Sequence, residues 1–454
     1  MNQFDGNKCY EHVRKMSLEI GPRVSGSEGE RQAMEYVKAQ FESYGLKTWV
    51  GEFDVDNDRI QQATLEITDP PLGVIQSNPY LGCQDTPPGG IEAEVVWVEN
   101  LTEPELGPHI EGKIIILSRS MEMMKGLPKL AKYRPAAIVS YSGNLAGQPN
   151  TFHIVVKDVY APFPDLPMMF ITYMDAVKLF NTGIRRARMT IQTERIPAKS
   201  YYVVGEKEGS LYPDEIVVIG GHMDSVPLLQ GATDNASGTA TVLELARVFA
   251  QQDSKRTLRF AAWGSEEGGL LGSKKYVLEL KAKAKEEKKA EGFIEGLSKT
   301  ELDKHIFNIN LDVLGMSLGY DYALYMGDEA LGAYVDAVAK ELGIPHKVDK
   351  STYSSDGLSF SWENIPSISF ARGGVGDQVM HTIDDKIDLV SPQQLEKIGR
   401  LVELFMQRTI TGGYIFPFKR EVPADLIKKD DPFTRRRYEK IVEFLGYSLE
   451  ELKE

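Results

Sequence analysis

Histidines and acids of metal-ligand type each follow a predicted strand from residue 215 onward in this 454-residue chain. They are His222, Asp234, the adjacent pair Glu266 and Glu267, Asp312 and His381. Imidazole and carboxylate groups suit zinc, and a catalytic zinc site keeps one coordination position open for water or substrate. The set therefore predicts hydrolytic chemistry at a metal centre.

The charge of this set points to more than one metal ion. Carboxylates that meet at one point repel one another unless divalent cations offset their charge. Two ions about 3.5–4 Å apart, bridged by one carboxylate, would satisfy two histidines and three acids. In the Glu266–Glu267 pair, one side chain would bind a metal and its neighbour would accept the proton of the attacking water. Singly, each residue has an ordinary structural explanation, such as helix capping by Asp234, so the prediction depends on the whole set.

The elements that must gather these residues alternate as strand, loop and helix after Tyr201. Apolar runs of strand length lie at 215–220, 257–263, 307–313, 323–326 and 366–371, and helical patterns at 236–251, 330–342 and 392–411. This alternation predicts an α/β fold with a largely parallel central sheet covered by helices on both faces. Ligands of such sheets lie at the carboxyl ends of the strands, which is where the candidate residues stand.

The chain before Tyr201 predicts a second unit. Helices are expected at 10–19 and 27–44, followed by two short polar strands near 47–53 and 64–68. Short β-rich runs separated by Pro and Gly then extend to residue 194, which is typical of an inserted domain. We therefore predict a catalytic domain of residues 1–65 and 196–412, an insertion at 70–194, and a helical C-terminal tail at 413–454.

Composition excludes several function classes. A formal net charge of −14 argues against a nucleic-acid partner. Cys9 and Cys83 make neither a disulfide framework nor a thiolate zinc site. The sequence contains no apolar run of about 18 residues, so no membrane-spanning helix is predicted. The first residues lack the apolar core of a signal peptide. We therefore expect a cytoplasmic protein. The tail helix at 432–445 predicts packing or an oligomer contact, which leaves a homo-oligomer open.

Five stretches carry a resemblance to a known family. They are GGHMDSVP (220–227), GATDNASGTATVLELAR (231–247), FAAWGSEEGGLLGSKKYV (260–277), NINLDVLG (308–315) and MHTIDD (380–385). The chain resembles the co-catalytic zinc exopeptidases of the aminopeptidase Y, bacterial leucyl aminopeptidase and glutamate carboxypeptidase family over residues 200–412 and the N-terminal helices. Several members carry an inserted protease-associated domain, which the 70–194 segment also resembles.

The resemblance implies two zinc ions and a ligand set. Asp234 would bridge the ions. His222 and Asp312 would complete one of them, and Glu267 and His381 the other. Cobalt or manganese stay open as the native metal, because nitrogen and oxygen ligands accept several divalent ions.

The resemblance also implies the reaction, which is peptide hydrolysis by an aminopeptidase that releases N-terminal residues. Glu266 would be the general base, and Asp224 would orient His222. Tyr353 lies near the position of a tyrosine that polarises the scissile carbonyl in relatives. Where members often have Ser-Asp-His, this chain reads Ser-Asp-Gly, with Asp356 followed by Gly357.

Three alternatives stay open at this point. A carboxypeptidase would need a cation for the substrate carboxylate, and Arg372 could supply it or could simply pair with an acid. N-acyl amino-acid deacylases of the same two-zinc type share the His-x-Asp and Glu-Glu patterns. A transferrin-receptor-like binding protein would share the architecture without activity. The remaining histidines, predicted to be surface or packing residues, are His12, His109, His153, His305 and His346.

Overall fold

The computed structural model describes residues 3–102, 104–119, 121–142, 147–156, 165–427, 431–450 and 452. The strands are β1 (Lys47–Asp69), β2 (Gly73–Ile75), β3 (Asn78–Leu81), β4 (Ile91–Val98), β5 (Ile114–Arg119), β6 (Ala137–Ser142), β7 (Phe152–His153), β8 (Met168–Ile171), β9 (Arg186–Lys207), β10 (Tyr212–His222), β11 (Arg256–Trp263), β12 (His305–Leu311), β13 (Tyr320–Met326), β14 (Lys347–Lys350) and β15 (Ser367–Gly373). The helices are α1 (Gly6–Arg14), α2 (Glu28–Ser43), α3 (Met121–Ala131), α4 (Tyr173–Thr182), α5 (Ser237–Ala250), α6 (Leu271–Lys288), α7 (Glu301–Lys304), α8 (Glu329–Glu341), α9 (Gly357–Ser361), α10 (Pro392–Met406), α11 (Ala424–Ile427) and α12 (Pro432–Phe444).

Local sequence signals explain where several helices begin. The Ser27 hydroxyl accepts a hydrogen bond from the Glu30 amide at the start of α2. Asp328 does the same for the Leu331 amide at the start of α8. Pro392 occupies the first turn of α10, where its missing N–H has no helical partner to lose.

The central sheet carries four parallel strands at its middle. Its order is β14-β13-β15-β12-β10-β11-β9, and the β15–β12, β12–β10 and β10–β11 pairs are parallel. The flanking β13–β15 and β11–β9 pairs are antiparallel. The predicted α/β sheet is therefore confirmed, with four adjacent parallel strands at its middle and a further parallel pair, β13 with β14, at one edge.

Helices cover both faces of this sheet. One face is buried under α1, α2, α5, α8 and α10, whose apolar residues share one cluster with β10, β11, β12 and β15. The other face packs on α6 and α9 through a second cluster that includes Trp263, Tyr276 and Phe360. Side chains on both faces of the sheet are buried, which explains the continuous apolar runs of β10, β11, β12 and β15.

A long antiparallel ribbon joins the two parts of the chain. β1 and β9 pair from Lys47 with Glu206 to Asp69 with Arg186. One end of β9 pairs with β11 in the central sheet, and the other end pairs with β4, which leads on through β5, β6 and β8. The prediction of two short strands at 47–53 and 64–68 is wrong, because β1 runs through unbroken.

The hydrogen-bonded strands of the two parts form one continuous network, and the predicted boundaries near 65–70 and 194–196 fall inside the ribbon. The strands between them nevertheless bury their own hydrophobic clusters, separate from those of the central sheet. The division into domains stays a prediction.

The C-terminal tail contains the predicted helix. α12 packs on α6, where Ile441 and Val442 share a buried cluster with Leu271 and Leu278. Cys9 is buried, Cys83 is partly buried, and both are free thiols. Among the helices of the described residues, none combines the length and apolar character that crossing a membrane requires.

Candidate metal centre

The carboxyl ends of the four parallel strands bring the predicted ligands together. His222 is the last residue of β10, and Asp312 directly follows β12. Glu267 lies in the loop after β11, and His381 in the loop after β15. Asp234 lies in the loop that precedes α5. Parallel strands end at one edge of a sheet, so ligands far apart in the sequence meet there.

One ligand triplet consists of His222, Asp234 and Asp312. The His222 Nε2 atom lies 3.2 Å from Asp234 Oδ1 and 3.3 Å from Asp312 Oδ1. All three side chains are buried. The three nitrogen and oxygen donors lie close enough together to bind one metal ion, and a catalytic zinc site with three protein ligands keeps one position for water or substrate.

A second triplet shares one of these residues. It consists of Asp234, Glu267 and His381. The His381 Nε2 atom lies 3.1 Å from Asp234 Oδ2 and 3.3 Å from Glu267 Oε2. Asp234 therefore directs one carboxylate oxygen to each triplet, which is the arrangement that a bridging ligand requires.

Two buried oxygens support the fit of this donor set to metal ions. Glu267 Oε1 and Asp312 Oδ1 have no hydrogen-bond partner within the part of the chain that the structure describes. A buried carboxylate oxygen without a partner is costly, and coordination of a cation removes that cost. The donor types match zinc. The residues present therefore fit two zinc ions.

The ionisation of these groups shows how strongly the charges interact. Burial alone would lower the pKa of His381, but the carboxylates of Glu267 and Asp234 outweigh it and raise the pKa to about 10. Burial raises the pKa of Glu266 well above its ordinary value against the opposing charge of His222. The pocket holds more negative charge than two imidazoles offset, which favours divalent cations.

The adjacent glutamates diverge, as their predicted division of labour requires. Glu267 faces His381, whereas the Glu266 Oε2 atom lies 4.0 Å from His222 Nε2 and belongs to neither triplet. The Asp224 carboxylate accepts hydrogen bonds from both backbone amides, 3.0 Å from the Glu266 nitrogen and 3.2 Å from that of Glu267. Asp224 also lies 3.4 Å from His222 Nδ1. It thus orients three members of the cluster.

Side chains outside the predicted set hold Asp234 in place. The Asp385 carboxylate accepts hydrogen bonds from the amides of Thr233 and Asp234. The Asn235 side chain donates to the Leu311 carbonyl and accepts from the Val313 amide. Asp385 and Asn235 both stand within the motifs of the sequence, but only this geometry assigns them a task.

Arg23 ties the N-terminal segment to the same loops. Its guanidinium is buried and donates to the carbonyls of Met223, Gln230 and Gly231. Burial lowers its pKa to about 10, and the acids of the cluster oppose that change. The sequence pattern around Arg23 held no signal for this contact, because the partners of its guanidinium in these loops are backbone carbonyls about 200 positions away.

Tyr353 lies beside the first triplet. Burial, and next the Asp312 carboxylate, raise the pKa of its phenol well above the ordinary value. Its ring packs edge-on against Tyr322, with centroids 6.5 Å apart. Tyr353 therefore lies within the electrostatic influence of Asp312, and its contact with substrate stays a prediction.

Asp356 is an additional acid of the pocket that the sequence analysis noted only as part of a departure from the family pattern. It is fully buried, and burial raises its pKa to about 7. A Cβ atom at Gly357 would lie 2.4 Å from Ser367 Oγ. The serine therefore occupies the space that a histidine at residue 357 would need.

Arg372 does not reach the cluster. It is buried and pairs with Asp321 at 2.7 Å, and it also donates to the Met316 carbonyl. Lys397 pairs with the other Asp321 oxygen at 2.6 Å. Of the two alternatives for Arg372, the structure supports pairing with an acid, and the prediction of a substrate contact is not supported.

Replacement of Arg372 by Met should therefore affect stability and leave substrate recognition unchanged. Removal of one partner of a buried ion pair costs about 3–5 kcal/mol of stability. The loss should be near about 3 kcal/mol here, because Lys397 still pairs with Asp321. Urea unfolding should show the loss, while KM for peptides with a free C-terminal carboxylate should stay at the wild-type value. A raised KM with unchanged stability would instead indicate that Arg372 contacts the substrate.

Comparisons with known proteins agree with this geometry. Residues 202–406 match the sequence model of peptidase family M28. Aminopeptidase YwaD of Bacillus subtilis (strain 168) is 26% identical over 436 residues, which cover 94% of this chain and 88% of that protein. Carboxypeptidase Q of Bos taurus is 28% identical over 292 residues, covering 60% of this chain and 61% of that protein.

The fold is also similar to that of a solved structure, BSAP, a zinc aminopeptidase from Bacillus subtilis. The two align with a TM-score of 0.72 and 24% identity, over 94% of this chain and 100% of that one. The family match at 202–406 encloses every member of both ligand triplets. This region of the chain is therefore similar to peptidase family M28.

Proposed function

We propose that the protein is a zinc-dependent exopeptidase, and specifically an aminopeptidase that releases residues from the N-terminus of peptides. The observation that carries this proposal is the pair of ligand triplets that share Asp234, with the uncommitted acid Glu266 beside them. The likeness to YwaD and to BSAP supports the same activity.

The chain would hold two zinc ions. His222, Asp234 and Asp312 would hold one, and Asp234, Glu267 and His381 the other. When bound, the ions would polarise the scissile carbonyl and lower the pKa of the attacking water.

Glu266 is the group placed to move the proton. It belongs to neither triplet, and Asp224 holds its backbone amide. The carboxylate accepts a proton from the attacking water and then delivers it to the leaving amine. The side chain is largely buried, with 11% of its surface exposed, so the proton moves in a pocket that is mostly shielded from bulk water.

Tyr353 supplies a hydrogen bond to the substrate carbonyl as negative charge develops on its oxygen. The raised pKa keeps the phenol protonated at neutral pH, and a protonated phenol can donate.

The free end of the substrate decides between two activities. The likeness to carboxypeptidase Q favours a carboxypeptidase as the second candidate. The engagement of Arg372 with Asp321 weakens it, because that cation cannot also hold a substrate carboxylate. Purified protein with added zinc should release the first residue from aminoacyl amides, whose carboxyl end is blocked, and leave N-blocked dipeptides intact. The reverse selectivity would make it a carboxypeptidase, and no hydrolysis of either would refute the proposed function.

Removal of the metal should lower the melting temperature. Zinc binds the folded chain alone, and at a thousandfold excess over Kd it contributes about 4 kcal/mol of stability. Chelation also leaves the buried carboxylates of the pocket uncompensated. Scanning fluorimetry with and without a chelator should show a fall of several degrees that zinc reverses. Magnesium, which prefers octahedral oxygen ligands, is the control and should restore little. An unchanged melting temperature would argue against tight metal binding.

Two further properties belong to this proposal. We propose that the segment 70–194 forms a protease-associated-like insertion, which is supported by its separate hydrophobic clusters. We also propose a cytoplasmic location, as the sequence predicts. Fractionation of cells that express the full-length protein tests the location.

A further inference from the structure

A short segment of the insertion lies against the metal centre. We call residues 150–156 the insertion loop. The Thr151 amide donates a hydrogen bond to the His381 carbonyl at 2.8 Å, and the Thr151 hydroxyl donates to the Pro227 carbonyl at 2.6 Å. Thr151 is buried. One residue of the insertion therefore links the loop after β10, which follows His222, to the loop after β15.

Neighbouring residues of the insertion loop extend this contact. The Phe152 ring lies 6.1 Å from the His381 imidazole, measured between centroids. A Cβ atom at Gly268 would lie 2.7 Å from Val155 Cγ2, so Val155 packs directly on the backbone beside Glu267. The insertion loop thus contacts three of the loops that carry the ligands.

The conformation of His381 explains why it needs this support. Its φ angle is +59°, in the left-handed region that residues with a side chain seldom adopt. Such a conformation persists only where surrounding structure holds it. The Thr151 amide holds the carbonyl of this residue, and Phe152 limits the movement of the ring.

The insertion loop is itself fixed to the ribbon. His153, in β7, lies with its Nε2 atom 3.1 Å from the buried Asp58 carboxylate of β1. Arg195 of β9 pairs with the same carboxylate at 2.9 Å. The Ile154 amide donates to the Leu81 carbonyl of β3. His153, which the sequence predicts to be a surface or packing residue, is buried and anchors the loop that reaches the metal centre.

We propose that the insertion is a working part of the metal centre and that Thr151 is a positioning residue, which holds His381 in the geometry that binds a metal ion. This inference rests on the proposed function, because it treats His381 as a ligand. It gives the insertion a role in every turnover.

The test uses the full-length protein with the isosteric substitution Thr151→Val, which removes the hydroxyl donor and loosens the loop from Pro227. The amide that holds the His381 carbonyl remains in this variant, so the hydroxyl acts on His381 through the attachment of the insertion loop to Pro227. Loss of a partner that orients a metal ligand typically costs 10–100-fold in metal affinity, and this indirect loss should lie near the lower end of that range. We expect the affinity for one of two zinc ions, measured by competition with a chelator, to fall at least about tenfold. The other ion should stay bound. kcat should fall with little change in KM, and Thr151→Ser, which keeps the donor, should restore both values.

A matched control separates positioning from general destabilisation. Leu179 is buried in a cluster of the insertion that excludes the insertion loop, so Leu179→Ala should lower the melting temperature without changing zinc affinity. Phe152→Leu is a second variant, expected to weaken the same ion as Thr151→Val. In protein reconstituted with cobalt(II), the visible spectrum should change in both loop variants and stay unchanged in Leu179→Ala.

The outcomes distinguish the two proposals. Wild-type protein that binds no zinc and cleaves no peptide would overturn the proposed function. Wild-type protein with two zinc ions, together with a Thr151→Val variant of unchanged zinc affinity and kcat, would overturn only the positioning role. Equal losses in Thr151→Val and Leu179→Ala would do the same.

Discussion

Replacement of Glu266 by Gln should lower kcat by about 10²–10⁴-fold, the usual loss when a general base is removed. Glutamine keeps the shape of the side chain but cannot accept the proton of the attacking water. Both zinc ions should stay bound, because Glu266 belongs to neither ligand triplet. KM should change little, since the lost interaction acts in the transition state. Steady-state kinetics and metal analysis of the same sample measure all three quantities.

Glu267→Gln is the matched control, because it alters the adjacent residue of the same type. This variant should lose zinc from the triplet that contains His381. If Glu266→Gln lost zinc and Glu267→Gln kept both zinc ions but was inactive, Glu266 would be the metal ligand and Glu267 the general base. Near-normal kcat in both variants would exclude the proposed mechanism.

Replacement of Asp234 by Ala should weaken the binding of both zinc ions. One Asp234 oxygen lies 3.2 Å from His222 Nε2 and the other 3.1 Å from His381 Nε2, so both triplets lose a ligand. Removal of partners that only orient ligands costs 10–100-fold in affinity, and removal of the ligand itself should cost more than about 100-fold for each ion. Metal analysis after dialysis against buffered zinc should find less than one ion per chain.

Asp312→Ala serves as the comparison, because Asp312 belongs to one triplet only. This variant should weaken the binding of the ion at the triplet with His222 and leave the ion beside His381 bound. Two ions retained in Asp234→Ala would refute the bridging role. Loss of both ions in Asp312→Ala would mean that the two sites cannot fill independently. The loss of both ions in Asp234→Ala would then no longer be evidence that Asp234 bridges them.

The candidate ligands could be predicted because their signal is local. His222 and Asp312 directly follow buried apolar strands, and the parallel arrangement of those strands brings the residues to one edge of the sheet. The diverging directions of Glu266 and Glu267 also follow from adjacency alone. Strand periodicity and residue type were sufficient to identify these residues as candidates, whereas the role of each one, including which glutamate is the ligand, followed only from the resemblance to the zinc exopeptidases.

The supporting contacts could not be predicted, because they join distant parts of the chain. Asn150 and Met380, in the contact of the insertion loop with the metal centre, are 230 positions apart. Neither position has a residue type that indicates a site. The polar middle of β1 concealed a continuous strand for a related reason, since its acids are offset by cross-strand partners such as Lys199, which lies 2.7 Å from Asp54.

The long ribbon also constrains the order of folding during synthesis. At the end of the ribbon near β4, the Asp69 carboxylate accepts a hydrogen bond from Arg185, 116 positions later. At the end near β11, Lys47 pairs with Glu206, 159 positions later. Strand β1 therefore leaves the ribosome well before its partner exists, with its backbone donors and acceptors unpaired. Contacts of such separation are slow to form, because a long loop must close before they contribute. The charged residues along β1, including Asp54, Asp56 and Asp58, would keep this waiting strand from pairing with other nascent chains.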